Sequence, residues 1–521
     1  MRDGRELARL LREAPRDATA LNGIVDPYLQ FVRKGETCSE TGLPLIDIWR
    51  YFRHTWAIPY KSVPGRTMMI LVRDRACEFH PVIGIAALSS AAVGLTVRDE
   101  WIGWTAKKVI AEMRARPTAA WAKWLQRTVA EGIEELFRVD FIEDELLTPA
   151  KEKRPSAEVV SRLEADAREL REEHYRFMRS RDYKKVDRDR TEDHWEEQAR
   201  SPLFRSKRAK QLSGLLEVRM TLHRFLSPRP SRAELIRLVE SADGRRAVAR
   251  VVRSAKSKRV GTAIADISVC GAIPPYSEIL GGKLVAALMA SPEVVAEYRR
   301  RYGKAVSVIA SSMAGREIVR PAELVFLGTT SLYGTRPCQY DRISPAIGPP
   351  GDRRKVAYQY LGRTLGVGTF QFGEKTVAEL AVLLAQSRRG QQVNSIFGEG
   401  VNPRLRKIRD GLNELGVPTA ELLNHGAPRL IYGVSLIENL RDYLLGIAAR
   451  PKYLIPQKPN RYGVEEFVRW WLERWIIQRI ARDDVLQRMQ EHHLTRPICH
   501  GARVRLPRED FDQTLLFDGS G

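Results

Sequence analysis

Along the first 60 residues, apolar positions recur every three or four residues, which is the spacing of one helical face. In "TGLPLIDIWRYFRHTWAIPY" this places Trp49, Phe52 and Trp56 on one side, so we predict a core-facing stripe. The pattern changes over residues 67–95, where "TMMILVRD" and "HPVIGIAALSSAAVGL" form two short apolar runs. Such runs are typical of sheet strands, or of a strand and a turn. A mixed α/β unit is therefore predicted to begin after residue 60.

Long charged stretches with helical periodicity replace this pattern over residues 101–255. Strand-like runs then return as "GTAIADISVCGA", "KAVSVIASSM", "ELVFLGTTSLYG" and "VAYQYLGRTLGVGTFQF", with an apolar helix after the first of them. We predict a mixed α/β fold in which a basic helical insertion interrupts the α/β core and both terminal regions are helical. The predicted division is a helical N-terminal region 1–60, core 61–100, insertion 101–255, core 256–385 and a helical C-terminal region 386–521.

The last predicted helix, within "VEEFVRWWLERWIIQRIARDDVLQRM", interleaves tryptophans with arginines. Phe467, Trp471 and Trp475 follow the spacing i, i+4, i+8, which predicts a buried stripe with the arginines outside. The alternative is a surface on which these aromatic rings stack nucleic-acid bases.

Charge points to a polyanionic partner. The chain of 521 residues has 86 Lys and Arg against 64 Asp and Glu, a formal net charge of +22. Residues 201–260 alone hold 16 basic against 4 acidic side chains. The alternatives there are a solvated helical face and a surface that binds DNA or RNA. A second basic helix, predicted to begin near Asn402 and Pro403, has the same two interpretations. The candidate nucleic-acid-binding residues are Arg205, Lys207, Arg208, Lys210, Arg245, Arg246, Arg253, Lys256, Lys258, Arg259, Arg404, Arg406, Lys407 and Arg409.

A glycine pair in "YSEILGGKLVAALM" joins a predicted strand to an apolar helix. Glycines at a helix N-terminus allow backbone N–H groups to approach a phosphate, but they also serve as plain tight turns. The order of strand, glycine turn, helix and strand resembles the acetyl-CoA-binding core of GNAT acyltransferases. Glu278 and Lys283 depart from that family's phosphate-binding motif. Gly281, Gly282 and Lys283 are thus candidate cofactor contacts for acetyl-CoA, with a structural turn as the alternative and Lys283 expected at the surface.

The other motifs are weak indicators of a catalytic or ligand-binding site. The glycines of "YLGRTLGVGTF" are not followed by a helix, so they predict a bent strand or turn rather than a dinucleotide site. The histidines show no spacing that fits a metal, and we predict no metal site. His425 and His500 lie in glycine-containing loops and are the candidates for a general base, although lone histidines are usually structural.

The chain is expected to be cytoplasmic. It starts with a charged amphipathic pattern rather than a secretory leader, and "VIGIAALSSAAVGL", at 14 residues, is shorter than a membrane span. Five scattered cysteines fit a reducing compartment.

Six stretches carry a resemblance to a known family: "DIWRYFRHTWAIPYKSVPGRTMMILVRDRACEFHPVIGIAAL", "FLGTTSLYG", "YLGRTLGVGTFQF", "VNSIFGEGVNPRLRKIRDGLNELGVP", "LLNHGAPRLIYGV" and "HGARVRLP". Together they resemble the DruA family of the Druantia anti-phage defence systems. The resemblance implies a bacterial defence protein that acts with other Druantia proteins, among them a large helicase-like component. It implies no particular catalytic residues. The leading hypothesis is a nucleic-acid-binding defence component; the alternatives are a GNAT-like acyltransferase, a nuclease and a scaffold for partner proteins.

Overall fold

The computed structural model describes residues 2–56, 65–179, 192–331, 334–336, 338–366, 368–369, 371–387 and 403–492. In these ranges the fold is mixed α/β and includes a seven-stranded sheet. The helices, in chain order, are α1 (Gly4–Glu13), α2 (Ala18–Asn22), α3 (Leu45–His54), α4 (Thr96–Ile102), α5 (Ala106–Ala115), α6 (Ala119–Glu134), α7 (Val139–Glu143), α8 (Pro149–Lys153), α9 (Ala157–Arg179), α10 (Glu192–Arg200), α11 (Pro202–Phe225), α12 (Arg232–Glu240), α13 (Ala242–Ala263), α14 (Gly281–Leu288), α15 (Pro292–Tyr302), α16 (Val308–Ala314), α17 (Glu374–Gln386), α18 (Pro403–Glu414), α19 (Thr419–Leu423), α20 (Leu440–Leu444), α21 (Pro459–Tyr462), α22 (Val464–Trp471), α23 (Ile477–Ile480) and α24 (Asp483–Gln490). A 3-10 turn covers Gln339–Arg342, and a π-helical segment, Leu472–Ile476, joins α22 to α23.

The sheet contains both parallel and antiparallel pairs. Its strands are β1 (Pro27–Val32), β2 (Thr67–Asp74), β3 (Val82–Ser90), β4 (Ile264–Ala272), β5 (Phe326–Thr330), β8 (Gln359–Arg363) and β9 (Leu430–Ser435), while β6 (Ala346–Ile347) and β7 (Arg354–Lys355) form a separate ribbon. The order across the sheet is β1-β2-β3-β4-β5-β9-β8. β4 and β5 run parallel, with Ile264 opposite Phe326, whereas β9 is antiparallel to both β5 and β8.

The chain divides into two compact units. The described residues of the first are 2–56, 65–88, 269–289 and 464–492; those of the second lie within 89–268 and 290–463. In the first unit, α3 packs on β1 and β2 around Trp49 and Leu71. In the second unit, α5, α6, α11, α12 and α13 pack around a larger apolar core that includes Leu125, Leu216 and Val251.

Local sequence explains where the helices of the second unit begin. Ser231 and Glu234 form a capping box at α12, in which each side chain accepts a hydrogen bond from the other residue's backbone N–H. These bonds hold the pKa of Glu234 at about 2, because they favour its ionised form. Ser241 caps α13 by accepting the N–H of Gly244 at 2.9 Å.

The structure confirms the buried aromatic stripe near the N-terminus and the strand patterns at 67–74, 82–90, 264–272 and 326–330. Trp49 and Phe52 are 1% and 6% exposed, and Trp56 is half-buried. The described parts of the charged stretch 101–255 consist of helices and the turns that connect them, in agreement with the predicted helical pattern.

One predicted element was wrong, and each terminal region contains a strand beside its helices, β1 and β9. β9 is short and almost wholly buried, and periodicity does not separate such a run from a helical segment. The run "KAVSVIASSM", predicted as a strand, forms α16, which ends at Gly315 in the left-handed conformation with φ of 65°.

Candidate nucleic-acid interface

The candidate cations on α11 differ widely in exposure. Arg208 is fully buried, and its guanidinium donates to both carboxylate oxygens of Asp140, at 2.9 and 2.5 Å. Arg205 is mostly buried and lies 2.6 Å from Asp144. Lys207 is half-buried over the ring of Phe204, whereas Lys210 is exposed. A polyanion does not reach a buried guanidinium that is bonded to a carboxylate. Arg208 therefore has a structural role in the fold.

Most candidate cations of α13 also have partners within the second unit. Lys256 forms an ion pair with Asp99, and Lys258 lies 2.7 Å from a carboxylate oxygen of Glu135. Arg259 lies over the ring of Tyr443, with 4.5 Å between the guanidinium carbon and the ring centroid. Arg246 pairs with Asp243, Arg245 donates to the carbonyl of Glu240 at 2.5 Å, and Arg253 is exposed. Much of the positive charge of this helix is therefore paired within the second unit.

The third candidate group lies on α18. Arg404 pairs with Glu374 at 2.7 Å, and Arg409 lies 3.6 Å from Asp410. Arg406 and Lys407 are half-buried. The loop before this helix, "VNSIFGEGVN", is outside the described residues, so the predicted phosphate contact at its N-terminus stays a prediction.

A different set of basic residues converges on one cavity of about 1000 Å³ in the second unit. Lys153 and Arg154 lie at the end of α8, where Pro155 follows, and Arg219, His223 and Arg224 lie on the last turns of α11. We call these five residues and their cavity the basic groove. Its remaining lining side chains are apolar or uncharged: Gln126, Val129, Ala130, Pro155, Met220, Leu222, Leu226, Ser227 and Pro228.

The cations of the basic groove are accessible, with one exception. Lys153, Arg154 and His223 are exposed, and the Arg224 side chain is 61% exposed although it also reaches Asp243 at 3.1 Å. Arg219 is mostly buried and donates to the backbone carbonyl of Glu152 at 2.8 Å. Arg219 thus anchors α11 to the end of α8, and this contact holds the exposed cations on one surface.

Partial burial and positive charge both affect titration in the groove. Partial burial of the His223 imidazole, followed by the nearby guanidiniums of Arg219 and Arg154, lowers the pKa of His223 below its ordinary value. Burial likewise lowers the pKa of Arg219. A phosphate placed here would relieve repulsion among these groups, which favours an anionic ligand.

Sequence reasoning missed this groove as a site. Arg219 and Arg224 fall in the basic window 201–260, but Lys153 and Arg154 lie more than 60 residues earlier, in a stretch where acids and bases alternate. Only the packing of α11 beside α8 and α9 joins them, and no spacing in the chain signals that contact.

The Gly281–Gly282 turn lies in the first unit and is extensively bonded. The N–H of Gly281 donates to the carbonyl of Tyr276 at 2.9 Å, and a Cβ at Gly281 would come within 2.9 Å of that oxygen. The Trp471 indole donates to the carbonyl of Leu280 at 3.3 Å, and Arg479 donates to that of Glu278 at 2.9 Å. The close approach of Gly281 to the Tyr276 carbonyl therefore explains why a glycine is found there, without the need for a ligand.

The aromatic stripe of the last helices is buried, as predicted: Phe467 and Trp471 are 0% exposed and Trp475 is 8% exposed. Lys283 was expected at the surface, and that expectation was wrong. It is half-buried, with its ammonium 4.2 Å from the ring centroid of Trp475. This cation–π contact ties α14 to the π-helical segment.

Of the two candidate histidines, His500 lies outside the described residues. His425 is half-buried in a loop that pairs with the glycine run: its backbone N–H donates to the carbonyl of Gly366 at 2.8 Å, and its Nδ1 accepts from Ala427 at 3.2 Å. Gly362 and Gly366 have φ of 141° and 71°, so this run is a bent strand and turn, as predicted. The ring of His425 packs against Gly368.

The described part of the chain contains no group of three or more His, Cys, Asp or Glu side chains arranged to hold a metal ion. Among the same residues, no helix has both the length and the apolar character needed to cross a bilayer.

Comparison with known proteins identifies the family. The sequence profile described as "Druantia protein DruA" matches residues 23–115 and 249–446, more than half of the chain, and the protein belongs to this family. The curated Druantia protein DruA of Escherichia coli (strain UMEA 4076-1) is 29% identical over 254 residues, which is 48% of this chain and 57% of that relative. The chain thus matches only part of the relative's length. No solved structure matches it.

Proposed function

We propose that this protein is a component of a bacterial anti-phage defence system that binds DNA or RNA through the basic groove and acts with partner defence proteins. Membership of the DruA family supports the defence role. The observation that carries the binding proposal is the groove itself, where all the ionisable lining side chains are basic. Clustered, accessible cations bind phosphate backbones well. Lys153, Arg154 and His223 are exposed, as is Arg224 despite its contact with Asp243.

The lining of the groove also indicates how nucleic acid is held. It includes no aromatic side chain that would stack a base, apart from the imidazole of His223. Lysine and arginine contacts to phosphates position a nucleic acid without reading its sequence. We therefore propose backbone binding without sequence preference, with recognition of phage nucleic acid left to other Druantia proteins, among them a helicase-like component.

Direct binding tests this proposal. Fluorescence anisotropy with end-labelled duplex DNA, single-stranded DNA and RNA of one length, at 50–200 mM salt, should show affinity that falls steeply with salt. Denaturing the purified protein and analysing the released molecules should recover nucleic acid. Failure of all three probes to bind at the lowest salt would overturn the proposal.

The second candidate is a GNAT-like acyltransferase, and one observation favours it. β4 is followed by the Gly281–Gly282 turn and α14, and β5, which comes after two further helices, α15 and α16, pairs with β4 in parallel. The strand, glycine turn and helix agree with the predicted likeness to that fold, whereas α16 stands where the next strand was predicted. The backbone contacts at Gly281 and the position of Lys283 over Trp475 support a structural turn instead.

Coenzyme A binding separates the two candidates. Calorimetry with acetyl-CoA and coenzyme A should detect no binding to the wild type. Lys283→Glu should cost about 0.5–1 kcal/mol of stability, the value of a partly exposed cation–π contact. Micromolar binding of either compound, lost in a folded Lys283→Glu protein, would move the acyltransferase to first place.

A further inference from the structure

A second cavity of the second unit, about 260 Å³ in volume, lies where the paired part of β4 and β5 ends. Its polar lining side chains are those of Arg98, Asp266, Ser268, Thr329, Thr330 and Arg429. Leu95, Leu361 and Ile431 supply apolar walls. The mixture of apolar walls with a few polar groups is typical of small-ligand sites, and the volume is slightly below their usual range.

Space for the Asp266 carboxylate comes from a glycine on the next strand. Asp266 of β4 is paired with Gly328 of β5, and a Cβ at Gly328 would collide with Oδ1 of Asp266. Residues paired across neighbouring strands project from the same sheet face, so only a residue without a side chain leaves this carboxylate room. Gly328 thus leaves space in the cavity around the Asp266 carboxylate.

Within the described residues, the Asp266 carboxylate makes few internal contacts. Its one hydrogen bond is from the N–H of Ala92 to Oδ2, at 3.3 Å. Arg98 is the nearby cation, but its guanidinium is bonded to Asp99 at 2.9 Å and to the carbonyl of Ala92 at 2.8 Å. Asp99 in turn pairs with Lys256. An ionised carboxylate accepts about four hydrogen bonds, so most of the acceptor capacity of Asp266 is unused.

The electrostatics agree with this geometry. Burial raises the pKa of Asp266, and the charge of Arg98 only partly offsets that effect. Donors from a ligand would favour the ionised form. The other charged groups that face the cavity are Arg98, which is bonded as described, and Arg429, which is exposed.

We propose that this cavity binds a guanine nucleotide, with the base against Asp266 and the phosphate on Arg429. Guanine is the base whose pairing edge presents two neighbouring N–H donors, which match the two oxygens of a carboxylate. Its ring would lie between Leu361 and Ile431. Arg429 is exposed and, among the described residues, its guanidinium has no hydrogen-bond partner, so it is available to a phosphate. The proposal is independent of the basic groove.

Calorimetry with GMP tests the site, and IMP, which lacks the 2-amino group, is the matched ligand. The wild type should bind GMP at least about tenfold more tightly than IMP, the effect of one hydrogen bond to a charged group. Asp266→Asn should abolish that preference. Arg429→Gln, an exposed change that should leave folding intact, should weaken binding of GMP but not of guanosine. Asp352→Asn, an exposed acid outside the cavity, is the control.

The source of the nucleotide is tested separately. A short single-stranded oligonucleotide with one guanine, compared with its inosine counterpart, repeats the measurement on nucleic acid. Preference for guanine that depends on Asp266 supports the site in either arm, and the arm with the higher affinity identifies the source. Equal affinity for GMP and IMP, or a preference for guanine that is unchanged in Asp266→Asn, would overturn the proposal.

Discussion

Removing three exposed cations from the basic groove should flatten the salt dependence of nucleic-acid binding. The variant replaces Lys153, Arg154 and Arg224 with glutamine, and leaves Arg219 because its contact with Glu152 is structural. Each lost phosphate contact reduces the slope of log affinity against log salt by about 0.9 for duplex DNA and about 0.7 for single strands. Loss of three contacts would reduce the duplex slope by roughly 2.7.

That change is large enough to measure. Between 50 and 200 mM salt, a slope difference of this size corresponds to roughly 40-fold in relative affinity. Anisotropy titrations at four salt concentrations give the slope directly. Unfolding free energy should change by about 0.5 kcal/mol or less, since exposed surface charges contribute little.

A matched control removes the same charge from the first unit. Arg9, Arg12 and Arg16 are exposed residues of the N-terminal region, and their replacement by glutamine also lowers the net charge by three. This control should keep the wild-type slope. An unchanged slope in the folded groove variant, or an equal reduction in the control, would refute assignment of binding to the groove.

Three further predictions follow from the structure. Because the pKa of His223 is lowered, we expect binding to strengthen as pH falls through that pKa, and His223→Gln should remove this pH dependence of the affinity while retaining binding at neutral pH. Arg208→Ala should cost about 3–5 kcal/mol in denaturant unfolding, because it removes the guanidinium bonded to both oxygens of the buried Asp140 carboxylate and leaves Arg205, at 3.9 Å, as the remaining cation. Lys210→Ala should cost about 0.5 kcal/mol or less, and equal costs would contradict the burial of Arg208. The raised pKa of Asp266 makes its ionisation unfavourable in the folded state, so the wild type should lose stability as pH rises through that pKa. Asp266→Asn should therefore be at least as stable as the wild type at neutral pH, and this advantage should disappear in acid. A large loss of stability in the variant at neutral pH would contradict this prediction.

Sequence patterns predicted the elements whose periodicity is strong. The i, i+4, i+8 spacing of Phe467, Trp471 and Trp475 gave the buried face, because one side of a helix must meet the core. The apolar runs of β2 and β3 are long enough to be recognised as strands. β9 was missed because its six residues, of which five are buried, carry no distinctive period. Its place between β5 and β8 depends on residues that lie about 105 and about 70 positions earlier in the chain.

The candidate site was harder to predict for a physical reason. Composition gives the number of cations but not their partners. Arg208 and Lys210 are two residues apart on α11, yet one is buried on Asp140 and the other is exposed, because helix geometry directs them to different faces. The groove cations Arg154 and Arg219 are brought close only by tertiary packing. Charge excess therefore predicts a polyanionic partner but does not identify the residues that would bind it.

Photo-crosslinking of the intact protein to duplex and single-stranded nucleic acid, followed by mass spectrometry of the peptides, tests binding by the basic groove most directly. Adducts should concentrate in peptides that contain Lys153 and Arg154 and in those spanning 219–228, and they should decline in the triple glutamine variant. Adducts confined to other parts of the chain, such as the basic helix α18, would contradict the groove as the nucleic-acid interface.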